Sequence, residues 1–211
     1  MNKIILTILC LAAVASVGFA QSKPKAEEVK RLTNETAKNF AKRNAPSQSE
    51  LTGTVFETEA WGNKNTVVAF YSVETKGESG ATFPQIVGYV FVPKITQIYE
   101  KRLLDFREIE SLNPDTEFKA VFLANADKDK PQELIIIGSH GVHSPETMGT
   151  YYMTFIFDDI RSGTNPTKLS YLKAISEKVS GGCYCRDDGK LGAKEYQTAS
   201  QVRAGLKKLG F

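Results

Sequence analysis

The residue types and spacing with the most specific chemical meaning occur in ANADKDKPQELIIIG, residues 124–138. With the first Asn of this stretch as position one, side-chain oxygens fall at positions one, three, five and nine, on Asn125, Asp127, Asp129 and Glu133. Alternation in a tight loop turns the first three side chains inward, and the backbone carbonyl of Pro131 at position seven can add an oxygen. Ca²⁺ binds roughly six to eight such oxygens, so the spacing is typical of a calcium loop. The alternative is a solvated hairpin turn whose aspartates bond to backbone amides and pair with the lysines.

The segment NADKDKPQELIII resembles the calcium loops of FG-GAP and related repeats of secreted proteins, in which an Asp-x-Asp/Asn-x-Asp-Gly-x-x-Asp-Leu run leads directly into a strand. It is also similar to a small group of bacterial periplasmic proteins that carry one such loop on a β-sandwich related to lysozyme inhibitors. The resemblance implies a protein partner such as a cell-wall hydrolase or a toxin. Lys130 replaces the usual Gly of the pattern, where a positive φ is often needed, and Lys128 also lies among the ligands, so we expect weakened calcium binding.

The chain's two histidines, His140 and His143, come after this stretch within GSHGVHSPETMG, residues 138–149. The glycines around them predict an exposed loop. Paired histidines can ligate Zn²⁺ or supply a general base, which would fit a secreted metal-dependent hydrolase. For a binding protein, the expected contact residues are His140, His143 and Tyr151. A second contact region is expected in the glycine-containing loop at residues 74–83.

The first twenty residues, MNKIILTILCLAAVASVGFA, have the three-part plan of a secretory signal peptide. An early lysine precedes an apolar run, and small residues at its end predict cleavage after Ala20. The run is shorter than the roughly 20 apolar residues that a membrane-spanning helix needs. We therefore expect residues 1–20, with Cys10, to be removed and residues 21–211 to form one exported domain, periplasmic or secreted.

Cys183 and Cys185, in SGGCYCRDDGK, are the two cysteines beyond this segment. Export into an oxidising compartment makes a disulfide between them the first expectation. Together with the two histidines they would complete a Cys₂His₂ zinc site, but nothing in the sequence fixes their proximity. The pair Asp158 and Asp159, at the end of a predicted strand, is interpreted as surface charge.

Charge argues against a nucleic-acid partner. The chain has 27 Lys and Arg against 24 Asp and Glu, a formal net charge of +3, and the basic residues are spread along the sequence and not gathered in a block.

The element pattern predicts an α+β fold built on an antiparallel sheet or sandwich of about six to eight strands. Runs rich in β-branched and aromatic residues are joined by connections too short for crossover helices. They lie at residues 54–62, 66–73, 85–93, 117–124, 133–139 and 150–159, with 95–111 ambiguous between helix and strand and weakly favouring strand.

Helices are predicted at both ends of the domain. Residues 25–44 place Val29, Leu32, Thr36 and Phe40 on one helical stripe. The C-terminal part predicts two more helices, one with Leu169, Leu172, Ile175 and Val179 after an Asn165–Pro166 start signal, the other with Val202, Leu206 and Leu209.

These features favour an exported, non-enzymatic binding module with a protein partner and a Ca²⁺ ion that stabilises one loop. The alternative is the metal-dependent hydrolase that uses His140 and His143.

Overall fold

The computed structural model of the protein describes residues 25–76, 80–106, 109, 112–145, 147–160, 167–187, 190–191 and 195–211. The predicted signal peptide lies outside these residues, as does the Asn165–Pro166 start signal. In chain order the elements are β1 (Glu27–Lys30), α1 (Ala37–Arg43), β2 (Ser49–Ala60), β3 (Asn63–Lys76), β4 (Thr82–Ile95), β5 (Ile98–Leu104), β6 (Glu117–Ala124), β7 (Glu133–His143), β8 (Thr147–Phe157), β9 (Lys168–Leu169), α2 (Lys173–Lys178), β10 (Gly182–Asp187), β11 (Lys190–Leu191) and α3 (Ala199–Lys208).

The strands form two antiparallel sheets, which confirms the predicted fold class. The first sheet has the order β1-β5-β4-β3-β2, with β9 added to β5 by a short parallel pairing. The second has the order β11-β10-β8-β7-β6. The described strands exceed the predicted number because the additional ones, such as β1 and β9, are short and carry too little apolar alternation to be recognised in the sequence.

The chain is arranged in four layers: α1, the first sheet, the second sheet, then α2 with α3. One apolar cluster lies between the sheets and includes Phe70, Val90, Phe118, Leu134, Ile136 and Phe155. A second cluster packs α1 on the outer face of the first sheet, and a third packs α2 and α3 on the outer face of the second. The far faces of the strands are therefore covered by both a second sheet and helices.

Burial on both faces explains the uninterrupted apolar runs in the sequence. In β7, Leu134 and Ile136 point to the core between the sheets, whereas Ile135 and Ile137 point to the helices, and all four are fully buried. A strand with only one buried face would alternate apolar and polar residues. The ambiguous segment 95–111 contains β5, so the preference for strand is confirmed there.

The predicted helix over residues 25–44 is wrong in its first half. Residues Glu27–Lys30 pair with β5 instead, and Asn34, with φ of 61°, turns the chain before the helix begins. Thr36 caps α1 by accepting a hydrogen bond from the Asn39 amide at 3.2 Å. Strand pairing satisfies backbone groups along the edge of the first sheet, and this tertiary contact outweighs the helical spacing of the side chains.

The C-terminal helices are present but shorter than the side-chain pattern indicates. Leu169 belongs to β9, and α2 covers only Lys173–Lys178. α3 begins with a capping box in which Thr198 and Gln201 satisfy each other's backbone amides. No helix among the described residues is long and apolar enough to cross a membrane.

Candidate metal centre and neighbouring surfaces

The acidic loop connects β6 to β7, at the edge where β8 also ends. β7 and β8 pair with Leu134 opposite Phe157, so the residue after β8 lies beside the residue that begins β7. Antiparallel pairing thereby places Asp158 next to Glu133, although the two are far apart in sequence. The hairpin loop then folds above this edge and adds its own carboxylates.

Three carboxylates converge at this edge and could hold a metal ion. One oxygen each of Asp127, Asp129 and Asp158 lies within 4.8 Å of the other two. Asp127 and Asp158 are half-buried, and Asp129 is exposed. The loop is shaped locally by Asp127, whose Oδ1 accepts a hydrogen bond from the Asp129 amide at 2.8 Å. Carboxylates that lie this close repel one another unless a cation or a proton compensates their charge.

Glu133 lies beneath the loop and is fully buried. Its Oε2 accepts a hydrogen bond from the Ala126 amide within the loop, while its Oε1 has no hydrogen-bond partner. Burial, assisted by the negative charges of Asp127 and Asp129, raises the pKa of Glu133 to about 7. A buried carboxylate oxygen without a partner is unfavourable, and a bound cation is one way to compensate it.

The backbone conformation of the loop is compatible with a lysine at position 130, where the calcium-loop pattern has a glycine. Six non-glycine residues in the described part of the chain have positive φ, and Lys130 is not among them. The loop therefore does not require a glycine at this position, and the lysine causes no backbone strain there. Its side chain is exposed.

The loop is also attached to the first sheet. The indole Nε1 of Trp61, in the turn between β2 and β3, donates a hydrogen bond to the backbone oxygen of Gln132 at 2.7 Å. This contact joins the two sheets at the edge that carries the acidic group. It was not predicted, because no local pattern pairs residues 71 positions apart.

Of the five predicted metal ligands, the structure brings Asp127 and Asp129 together, and it places Glu133 below them. Asn125 is exposed and Pro131 is half-buried at the two ends of the loop. Asp158, interpreted from sequence as surface charge, is the residue that the prediction missed. The signal that could have identified it is the pairing of β7 with β8, since both strands were recognised.

The sequence predicts an exposed loop for the two histidines, and this prediction is wrong. Both histidines belong to β7. They are three residues apart in an uninterrupted pairing, so their side chains point to opposite faces of the sheet. His140 lies opposite Tyr151 and stacks on it, with ring centroids 5.5 Å apart. Burial lowers the pKa of His140, and Asp115 acts in the opposite direction. His140 and Tyr151 can therefore share one contact surface, whereas His143 faces away from it.

Cys183 and Cys185 lie close together in β10, with their Cα atoms 5.1 Å apart. Such a spacing is compatible with a disulfide, which stays a prediction. Cys183 pairs with Tyr151, which in turn pairs with His140, so one cross-strand row contains all three residues. Tyr151 lies between the histidine and the cysteine in this row, about two strand spacings or 10 Å across, so the pairing does not bring the His140 and Cys183 side chains next to each other.

Comparison of the chain with protein-family models, with curated proteins and with solved structures found no match. The function of the protein must therefore be inferred from the two antiparallel sheets and from the acidic group at their edge.

Proposed function

We propose that the protein is an exported, non-enzymatic binding module whose acidic loop binds Ca²⁺ as a structural ion and whose partner is a protein. The observation that carries the proposal is the convergence of Asp127, Asp129 and Asp158 above the buried, unpartnered Oε1 of Glu133. The cluster supplies three carboxylates, and Oε1 of Glu133 adds a buried oxygen without a hydrogen-bond partner.

The donor set favours Ca²⁺ over other common metals. All the acidic donors are hard oxygens, which suit Ca²⁺, Mg²⁺ and Mn²⁺ and not Zn²⁺ or copper. Mg²⁺ requires a small, nearly octahedral shell, whereas Ca²⁺ accepts a larger and irregular one such as a loop supplies. The side chain of Asn125 and the carbonyl of Pro131 would complete the shell. An ion enclosed by protein oxygens stabilises the loop and has no open position for catalysis.

A binding role is favoured over the hydrolase alternative by the arrangement of the histidines. A zinc or acid–base site would need the two imidazoles on one side of the sheet, and His140 and His143 point to opposite sides. The stacked pair of His140 and Tyr151 is instead a rigid, half-buried surface feature of the kind that protein partners contact.

Thermal unfolding of the purified protein tests the calcium site. After EDTA treatment, saturating Ca²⁺ should raise the melting temperature by roughly 5 to 10 °C, as expected for ligand at about 100 times its Kd. Asp127→Asn and Asp158→Asn should each remove most of this increase. Asp115→Asn, which changes an exposed aspartate in another turn of the same sheet, should retain it.

Two results would contradict the proposal. One is the absence of any calcium-dependent shift in the wild-type protein at about 10 mM Ca²⁺, above the Kd of weak extracellular sites. The other is stoichiometric zinc on elemental analysis of the purified protein, which would favour the metal-dependent hydrolase.

A further inference from the structure

A cleft of about 620 Å³ opens beside the acidic loop, and no residue pattern in the sequence pointed to it. Four parts of the fold contribute to its walls: the end of β2 with the turn after it, β6, the last residues of the acidic loop, and α3. Its volume is typical of ligand-binding clefts, and its position at the joint between two sheets and a helix is a frequent one for such sites.

Trp61, the chain's single tryptophan, forms one wall of this cleft. Its backbone has φ of 51°, a left-handed conformation that costs a bulky residue on the order of 1–3 kcal/mol. The bond from its indole Nε1 to the Gln132 oxygen holds the ring against the acidic loop. The positive φ of Trp61 and of the following Gly62 belongs to the two-residue hairpin turn between β2 and β3, and this turn presents the half-buried ring to the cleft.

Arg203 of α3 supplies another wall of the cleft with positive charge. Its guanidinium lies over the ring of Phe122, 4.4 Å from the centroid, and one nitrogen donates to the Leu123 oxygen at 3.3 Å. The stacking fixes the orientation of the guanidinium and leaves most of its N–H donors available. Lys130 adds a second cation on the same cleft. Neither Arg203 nor Lys130 forms an ion pair within the described part of the chain.

We infer that this cleft binds an acidic peptide segment of the protein partner. A carboxylate of the peptide pairs with Arg203 and Lys130, and an adjacent apolar side chain packs between Trp61 and Pro131. Charge complementarity supports the first contact, since the oriented guanidinium of Arg203 and the ammonium of Lys130 both line this cleft. Tryptophan and arginine are also the side chains that most often dominate the energy of protein–protein contacts. The inference deepens the proposed function, because it names the chemistry of the partner, and it rests on the binding role proposed there.

Two features favour a peptide over a polyanion such as a sulfated polysaccharide. Leu123 and Pro131 give the cleft an apolar part, which suits an aliphatic or aromatic side chain better than the densely sulfated and hydroxylated edges of such a sugar chain. Glu59, exposed on the same cleft, repels a continuous run of negative charge but tolerates an isolated carboxylate.

A peptide array identifies the ligand and tests this inference. Capped peptides carry one Asp or Glu and one Leu, Phe or Trp at varied spacing in a Gly/Ser background, and a matched array replaces each acid by its amide. The strongest peptide without tryptophan is then titrated into the calcium-loaded protein while the emission of Trp61 is recorded. We expect binding to the acidic array only, with a saturable change in the tryptophan emission.

Two variants of α3 provide the matched comparison. Arg203→Met removes the charge on the cleft but keeps an apolar side chain over Phe122, and it should weaken the peptide by about tenfold or more. Lys207→Met removes one charge from the same helix outside the cleft and should change the affinity by less than about twofold. Binding that both variants weaken equally would overturn the inference, as would equal binding to both arrays, no binding at all, or binding of a heparin oligosaccharide in place of the peptides.

The calcium proposal and the cleft can fail separately. A protein whose melting temperature responds to Ca²⁺ but which binds no acidic peptide would overturn the cleft alone. Peptide binding without a calcium-dependent shift would remove the calcium site and leave the cleft in place.

Discussion

Glu133 is the buried carboxylate beneath the acidic loop, and its charge affects the stability of the folded protein. It is buried, one of its oxygens lacks a partner, and its pKa is raised to about 7. At pH 8 the metal-free protein must therefore keep a buried negative charge close to Asp127 and Asp129, which destabilises the folded state. A cation bound by Asp127, Asp129 and Asp158 would oppose this effect, since its positive charge would lie near the Glu133 carboxylate.

Replacing Glu133 by glutamine separates these two effects. At pH 8 in EDTA, Glu133→Gln should stabilise the protein by about 1–2 kcal/mol, because the neutral side chain keeps the bond from the Ala126 amide and its NH₂ group can donate to the aspartates. In Ca²⁺ the variant should gain less stability than the wild type does. Urea unfolding with and without Ca²⁺ measures both differences, and a variant destabilised in EDTA would show that the buried charge is not unfavourable.

Sequence spacing could identify most of this site, but not all of it. The alternation of Asp127 and Asp129 is a local property of the loop, so it is visible in the sequence. Asp158 joins them only through the pairing of β7 with β8, and the orphaned oxygen of Glu133 depends on how the loop closes above it. Registers and loop closure are set by tertiary packing, which no spacing rule contains.

The secondary-structure elements also differ in whether local sequence or tertiary contacts determine them. Burial on both faces leaves continuous apolar runs in β3 and β7, so the sequence predicts both strands, whereas it predicts a helix for the β1 segment. Its side chains have helical spacing, yet its backbone pairs with β5. Of the predicted helical stripe, Phe40 is fully buried against Phe91 and Tyr99, while Leu32 is 54% exposed.

Two alanine substitutions test this assignment. If residues 25–44 formed one amphipathic helix, Leu32→Ala and Phe40→Ala would both remove core contacts. In the structure only Phe40 lies in the core, so Phe40→Ala should destabilise the protein by about 3–5 kcal/mol and Leu32→Ala by less than about 0.5 kcal/mol. Chemical denaturation of both variants provides the comparison, and similar losses would support the continuous helix.

At the scale of the whole molecule, the two sheets contact each other at the edge that carries Asp127, Asp129 and Asp158. The described sheets share an apolar core, and the bond from Trp61 to the Gln132 oxygen adds a polar contact between the turn after β2 and the acidic loop. Ordering of the loop by an ion should therefore extend into the first sheet through this turn. The cleft beside Trp61 lies on the same path, so the proposed ion and the proposed peptide would stabilise neighbouring walls.

Hydrogen exchange with and without Ca²⁺ tests whether the two sheets are coupled in this way. In the wild type, Ca²⁺ should slow exchange in residues 124–133 and also in residues 58–62 of the first sheet. Trp61→Phe keeps an aromatic ring but removes the indole donor, so the slowing should persist in the loop and disappear from residues 58–62. α1, on the far side of the first sheet, serves as the internal control and should not respond in either protein. If residues 58–62 were protected equally in Trp61→Phe, the coupling would have to pass through the apolar core and not through the indole.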